Sequence, residues 1–118
     1  EQEKIYAPKI TKEICKLDLN KSCKYNWRVV RALSPKPAAF VYLINSQKNN
    51  LVLKIFDAEY KITNSMPGQF IILDKNTFAI GCSDGILIPK TLALEGRKTM
   101  SNSDCLRGLQ EKEKLFFQ

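Results

Sequence analysis

The chain has 118 residues, a length typical of one domain, and 44% of them are hydrophobic, enough to form a core. Its 19 basic and 12 acidic residues give a net charge of +7, which favours a polyanion such as nucleic acid as partner, although such a charge can also simply keep a small domain soluble. The absence of histidine and of any apolar run near the roughly 20 residues of a membrane helix excludes histidine-based catalysis and a helical membrane span.

Residues 1–21 have the composition of a connecting segment. They are rich in lysine, contain Pro8 and show little hydrophobic periodicity, although Ile14 and Leu17 could anchor the segment on the domain that follows. The chain begins with Glu1 and not with methionine, so we expect a piece of a longer protein or a processed chain. Its opening residues lack the apolar stretch of a secretory signal, so we expect none. We therefore predict an interdomain linker over 1–21 and a single domain over 22–118.

A helix is predicted after the linker, with Asn20 or Ser22 as its N-cap. Helical spacing gives it one buried face, formed by Cys23, Trp27, Val30 and Leu33 and extended by Asn26. On this spacing Trp27 is expected to pack in the core and not to stack on a base. The two prolines within residues 34–37 end the helix, because proline lacks the backbone N–H and disfavours helix before it.

The remaining chain is predicted to form short antiparallel strands. The expected strands are residues 39–44, 51–58 with a continuation at 60–63, 69–73, 77–82 and 86–94. Pro67-Gly68 and Asp84-Gly85 mark turns, and Pro89 suggests a sheet edge or a bulge. Because an open sheet of this length would leave exposed edges, we predict a mainly β fold, an OB-like Greek-key barrel with an N-terminal helix.

The last residues predict a short helix and a final strand. Ser101 is placed to cap a helix that Gly108 would end, and the apolar residues 115–117 could dock as a strand.

The residues that could carry chemistry are few. The four cysteines, Cys15, Cys23, Cys82 and Cys105, lack the C-x-x-C spacing of a zinc site. Their even number permits disulfides, but such sparse cysteines are more typical of small buried residues in a reducing cytosol. The aspartates lie at predicted turns and caps, so we expect no catalytic residue and no metal site in this chain.

Basic residues are the positive evidence for a binding role. The candidates for nucleic-acid contact lie on the linker, the helix, the strands and the loop after the last long strand: Lys9, Lys12, Arg28, Arg31, Lys36, Lys54, Lys90, Arg97 and Lys98. Each could be an ordinary solvated charge, but several on one barrel face would form a phosphate-binding surface.

Ordered sequence segments resemble the C-terminal domain of methionyl-tRNA formyltransferases. Residues 6–13 (YAPKITKE) resemble the linker that leaves that family's catalytic domain, 31–39 (RALSPKPAA) its helix end and 54–56 (KIF) its strand motif. Pro67-Gly68, Asp84-Gly85, residues 94–98 (LEGRK) and residues 106–108 (LRG) follow in the family's order. Departures include Ala38 in place of a glycine and Phe56 in place of a common tryptophan.

The resemblance implies an OB-like barrel that binds initiator methionyl-tRNA, as a cytoplasmic and monomeric part of translation initiation. Formylation would be performed by a separate N-terminal catalytic domain, absent from this chain, with 10-formyltetrahydrofolate as donor. This chain alone would not be an enzyme. Two alternatives stay open: a structural barrel of a sugar- or folate-dependent formyltransferase that binds no nucleic acid, and a free-standing interaction module.

Overall fold

A computed structural model of the chain describes residues 15–34, 38–45, 47, 49–109 and 112–118. Its elements follow in the order α1 (Cys23–Leu33), β1 (Ala39–Ile44), β2 (Asn50–Ile62), β3 (Phe70–Asp74), β4 (Thr77–Gly81), β5 (Gly85–Leu94), β6 (Met100–Ser101), α2 (Asn102–Gly108), a 3-10 helix (Lys112–Lys114) and β7 (Phe116–Phe117). The mainly β prediction with an N-terminal and a short C-terminal helix is confirmed. The predicted strand and its continuation are one strand, β2, while β6 and the 3-10 helix were not predicted.

The strands form one antiparallel sheet in the order β3-β4-β5-β2-β1-β7, with β6 paired to β5. The direct pairing of β2 with β5 skips the β3–β4 hairpin, which is the Greek-key connection expected of an OB-like fold. The sheet curls back on itself, because β7 pairs with β1 on one side and Phe116 bridges to Gln69, just before β3, on the other. The predicted docking strand at residues 115–117 is therefore the element that joins the two ends of the sheet.

Aromatic packing supports this closure. Phe70 of β3 stacks on Phe78 of β4 with ring centroids 5.2 Å apart, and on Phe117 of β7 at 5.5 Å. Phe78 and Phe117 are almost completely buried, so the cluster removes apolar area from water where β3 and β7 meet.

Pro89 lies in β5, an inner strand of the sheet, so the prediction of a sheet edge is wrong and the alternative prediction of a bulge remains. It lies within β5 opposite Ala58 of β2, beside register shifts in β2 at Asp57, so a bulge is found next to it. On the other side of β5, β4 pairs at residues 86–87 and β6 at 91–92, which leaves a gap at Pro89. The buried side chain of Asn102 fills this gap, donating from Nδ2 to the carbonyls of Pro89 (2.7 Å) and Phe78 (2.9 Å).

The first helix is fixed on the barrel at its N-terminus. Ser22 is the cap, since its Oγ accepts from the Tyr25 N–H at 3.0 Å, and the carboxylate of Asp84 accepts from the Cys23 N–H at 2.9 Å. Of the predicted buried face, Cys23, Asn26 and Val30 are buried, whereas Trp27 and Leu33 pack against the core with part of their surface exposed.

The segment just before this helix also lies against the barrel. Cys15, Leu17 and Leu19 are buried, and the Leu17 N–H donates to the Phe40 carbonyl at 2.9 Å. Leu17 is thus an anchor, as its apolar character suggested. The linker boundary at residue 21 stays a prediction, and residues 1–14 lie outside the described part of the chain.

Candidate nucleic-acid interface

The loop after β5 presents Arg97 and Lys98 on a fixed turn. Glu95 clamps the loop to β2, since its N–H donates to the Val52 carbonyl at 2.8 Å and its Oε1 accepts from the Val52 N–H at 3.0 Å. The Arg97 N–H then donates to the Leu94 carbonyl at 2.9 Å, and Gly96 supplies the positive φ of 79° that the turn needs. Both basic residues are exposed, and the turn fixes the backbone that carries them.

Lys54 lies near the same end of the barrel. It is exposed on β2 and pairs across the sheet with Ala93, which immediately precedes the start of this turn at Leu94. Strand register therefore places Lys54 opposite the end of β5, the strand that leads into the turn carrying Arg97 and Lys98. We call these three residues the loop cluster.

Arg31 and Lys90 lie elsewhere, around Trp27. The guanidinium of Arg31 is 4.8 Å from the centre of the Trp27 ring. Lys90 Nζ is 3.5 Å from a carboxylate oxygen of Glu59, and this exposed ion pair adds little to stability. Arg28 is exposed on the same helix as Arg31.

Three of the predicted contact residues, Lys9, Lys12 and Lys36, lie outside the described residues. Their position relative to either group stays a prediction.

Sequence reasoning missed two cations that tertiary structure places beside aromatic rings, Lys16 and Lys21, whereas Lys61 was among the basic residues it considered. Lys16 Nζ lies 5.7 Å from the Tyr42 ring centre, and Lys21 Nζ lies 4.7 Å from that of Tyr25. Lys61 lines a groove with Trp27 and Tyr60. Lys21 and Tyr25 lie four residues apart, at the start of α1, so that pair could have been sought from spacing. The contact between Lys16 and Tyr42 joins distant residues and leaves no local signal.

The polar groups inside the barrel have structural roles. Asn26 donates from Nδ2 to the carbonyls of Asp18 and Ser22 and accepts from the Asp18 N–H. The side chain of Asn102 also makes hydrogen bonds at both ends, since its Oδ1 accepts from the Phe78 N–H at 2.9 Å and its Nδ2 donates as described above. These two are the buried polar side chains of the described residues, and their main-chain hydrogen bonds leave them poorly suited to bind a folate ring.

The aspartates mostly have the turn and capping roles expected of them. Asp84 caps α1, and Asp18 and Asp74 accept from main-chain N–H groups two residues further on. Asp104 lies in the first turn of α2 and bonds to Arg107. Among the described residues, no group of histidine, cysteine or acidic side chains is arranged to hold a metal ion.

The cysteines are free and buried, as their sparse spacing indicated. Burial raises the pKa of Cys82 to about 12, with a further contribution from the neighbouring Cys23. Burial also raises the pKa of Cys105 to about 11, although the nearby charge of Arg97 opposes the shift. The pKa of Cys23 is raised by burial and by Asp84. These three thiols are therefore protonated near neutral pH and are poor nucleophiles.

The described residues thus define an OB-like barrel domain that offers exposed cations and aromatic side chains on its surface. Within the part of the chain described, no helix is long and apolar enough to span a membrane. This surface is suited to binding a polyanion.

Comparison with known proteins identifies the family. Residues 9–110 match the profile of the formyl transferase C-terminal domain, and the chain belongs to this family. It is 36% identical over 117 residues to a methionyl-tRNA formyltransferase of Lachnospira eligens, an alignment that covers 93% of this chain and 36% of the relative. A methionyl-tRNA formyltransferase of Phocaeicola vulgatus is 38% identical over 109 residues, covering 91% of this chain and 34% of the relative.

A third relative, the methionyl-tRNA formyltransferase of Bacteroides fragilis, is 36% identical over 91% of this chain and 34% of its own length. The chain therefore spans about a third of the length of the curated relatives it matches. The resemblance noted in the sequence is confirmed at the level of the domain family.

Proposed function

We propose that this domain holds initiator methionyl-tRNA for formylation by a catalytic domain outside this chain. The observation that carries the proposal is the exposed position of all six described candidate cations on a chain of net charge +7. They are Arg28, Arg31, Lys54, Lys90, Arg97 and Lys98. The similarity to methionyl-tRNA formyltransferases makes tRNA the favoured polyanion.

The role of the domain is to position the tRNA. Lysine and arginine contacts to phosphates fix the register and orientation of a nucleic acid without reading its bases. A rigidly held acceptor arm would present the methionyl amino group to the catalytic domain and lower the entropic cost of the reaction. The turn at residues 94–98 suits this role, because its main-chain hydrogen bonds to Leu94 and Val52 fix the backbone under the loop cluster.

The formyl group is proposed to come from 10-formyltetrahydrofolate bound by the catalytic domain. That domain would occupy part of the additional length that the relatives have. The donor chemistry is the cofactor's, and this chain contributes by binding the other substrate. We further propose that the whole protein acts as a monomer in the cytoplasm, at the start of protein synthesis.

Charge reversal of the loop cluster tests the proposal. Replacing Arg97→Glu and Lys98→Glu together should weaken binding to initiator tRNA and make the dependence of log K on log salt shallower by about two units, since about one counterion is released for each phosphate contact. Electrophoretic mobility shift or fluorescence anisotropy across a salt series would measure both quantities.

A matched control separates a local contact from overall charge. Lys75 lies at the exposed β3–β4 turn and Lys112 on the 3-10 helix, and neither belongs to the candidate contact residues. The double variant Lys75→Glu/Lys112→Glu has the same net charge as the test variant and should keep most of the affinity. An equal loss of tRNA affinity in the two variants, or no loss in either, would show that Arg97 and Lys98 are not part of the binding site.

A further inference from the structure

Beside α1 lies a surface groove that the loop cluster does not use. Its volume is about 450 Å³, and it is lined by Trp27, Glu59, Tyr60, Lys61 and Ile88. Trp27, Tyr60 and Ile88 are each partly exposed, so the groove has an apolar and aromatic wall that solvent reaches.

The aromatic wall is held in place. The Trp27 Nε1–H donates to the Ala58 carbonyl at 3.0 Å, which satisfies the polar group of the indole and fixes the ring on β2. The Tyr60 ring lies 5.1 Å from that of Trp27 at an interplanar angle of 55°. A preorganised pair of rings loses little conformational freedom when a flat ligand packs against it.

The charges around the groove favour an anion. Arg31 lies over the Trp27 ring and Lys61 lines the groove, while the carboxylate of Glu59 is paired with Lys90. Lysine and arginine next to aromatic rings form the surface that proteins use to bind single-stranded nucleic acid, because the rings stack on bases and the cations attract phosphates. A purely apolar ligand would gain nothing from these charges.

We propose that this groove binds an unpaired nucleotide of RNA, with the base against Trp27 and Tyr60 and the phosphate near Arg31 and Lys61. This inference rests on the proposed function, since it assigns an unpaired part of the bound tRNA to a second place on the domain. It also gives Trp27 a role beyond the packing that its position on the helix indicated.

Trp27 is the single tryptophan of the chain, so its fluorescence reports directly on the groove. The probes are two RNA hairpins with the same stem, one with a blunt end and one with an unpaired 3′ tail of about four nucleotides. We expect the tailed hairpin to bind about tenfold more tightly. It should lower Trp27 emission over the concentration range in which fluorescence anisotropy of the labelled RNA reports binding, whereas the blunt hairpin should leave the emission unchanged.

Substitution of the second ring gives an independent test. Tyr60→Leu should abolish the tenfold preference for the tailed hairpin without changing the affinity for the blunt one. Tyr25→Leu is the matched control, because Tyr25 is also an exposed ring beside a lysine but lies outside the groove. Should Tyr60→Leu fail to fold, Lys61→Glu at its exposed position should weaken binding of the tailed hairpin more than that of the blunt one.

The outcomes distinguish this inference from the proposed function. Equal affinity for both hairpins with unchanged Trp27 emission would overturn the groove assignment and leave the proposed tRNA-holding role intact. Absence of binding to both hairpins and to initiator tRNA at low salt would contradict both proposals.

Discussion

Ala38 has a backbone conformation that favours glycine. Its φ is 75°, it is buried just before β1, and it is the one residue other than glycine with positive φ among the described residues. This conformation costs an L-residue about 1–2 kcal/mol. The strain gives a physical reason for the glycine that the family pattern described under the resemblance has in place of Ala38.

We predict that Ala38→Gly is close to neutral. Relief of strain offsets the greater chain entropy of glycine and the loss of one buried methyl group, each about 0.5–1 kcal/mol. Ala39→Gly is the control, because Ala39 is buried in a regular strand and has no such strain to lose. Urea unfolding should give the Ala39 variant a free energy of unfolding about 1–2 kcal/mol lower than the Ala38 variant, and equal values would contradict the strain.

The buried thiols make stability depend on pH above neutrality. In the unfolded chain a thiol loses its proton near its ordinary pKa of 9.0, while burial raises the pKa of Cys105 to about 11 and that of Cys82 to about 12 in the folded state. The unfolded state therefore binds fewer protons in this window, and the free energy of unfolding falls as pH rises.

The expected fall is about 1.4 kcal/mol per pH unit for each thiol once the pH exceeds the unfolded pKa. Denaturant unfolding at pH 8, 9 and 10 would measure it. In Cys105→Ala the loss between pH 9 and 10 should be smaller than in the unchanged protein by roughly 1 kcal/mol. An identical pH dependence would show that other groups cause it.

At the scale of elements, the closure of the barrel depends on a turn before β3. The Gln69 N–H donates to the Met66 carbonyl at 3.1 Å, and Gly68 has a φ of 86°, as in a type II turn with proline first and glycine second. The Phe117 N–H then donates to the Gly68 carbonyl at 2.7 Å. A β-carbon at Gly68 would lie 2.6 Å from the Phe117 carbonyl oxygen, so the turn and β7 fit only around glycine.

A comparison of two glycines with positive φ distinguishes the energetic cost of the backbone conformation from the cost of steric crowding. Gly96 also has positive φ, at 79°, but a β-carbon there would have open space around it. Gly96→Ala should therefore cost only the conformational term of about 1–2 kcal/mol. We predict that Gly68→Ala costs at least about 1 kcal/mol more in thermal or urea unfolding, because β7 must move. Equal destabilisation would show that the contact between β7 and this turn contributes little.

Local signals in the sequence predict the helix caps and the turn before β3 well. Ser101, and Ser22 as one of two candidates with Asn20, could be predicted as caps because a capping side chain bonds to an N–H only three residues away. Pro67-Gly68 identifies the turn because both residues that determine its shape are adjacent in the sequence. Asn102, by contrast, joins Phe78 to Pro89 across the fold, and Glu95 reaches back to Val52, so neither role has a nearby partner that could reveal it.

At the scale of the whole molecule, the arrangement of charge could be predicted only in part. Composition determines the net charge, and the basic residues are candidates for phosphate contact, but only strand register shows that Lys54 lies opposite the strand that leads to Arg97 and Lys98. Helical spacing predicts Trp27 on the apolar face of α1, but it cannot show that Tyr60 and Lys61, from a distant strand, line a groove beside it. Whether these residues contact tRNA stays a prediction.

The most direct test of the central claim is the binding of this chain to initiator tRNA, compared with a duplex RNA and a single-stranded RNA, over a salt series. The account predicts the tightest binding for the tRNA, with a slope of log K against log salt of about −3 or steeper, as at least the three cations of the loop cluster would release counterions. Binding that does not distinguish the three RNAs, or no binding even at low salt, would contradict a domain that holds tRNA for the catalytic step.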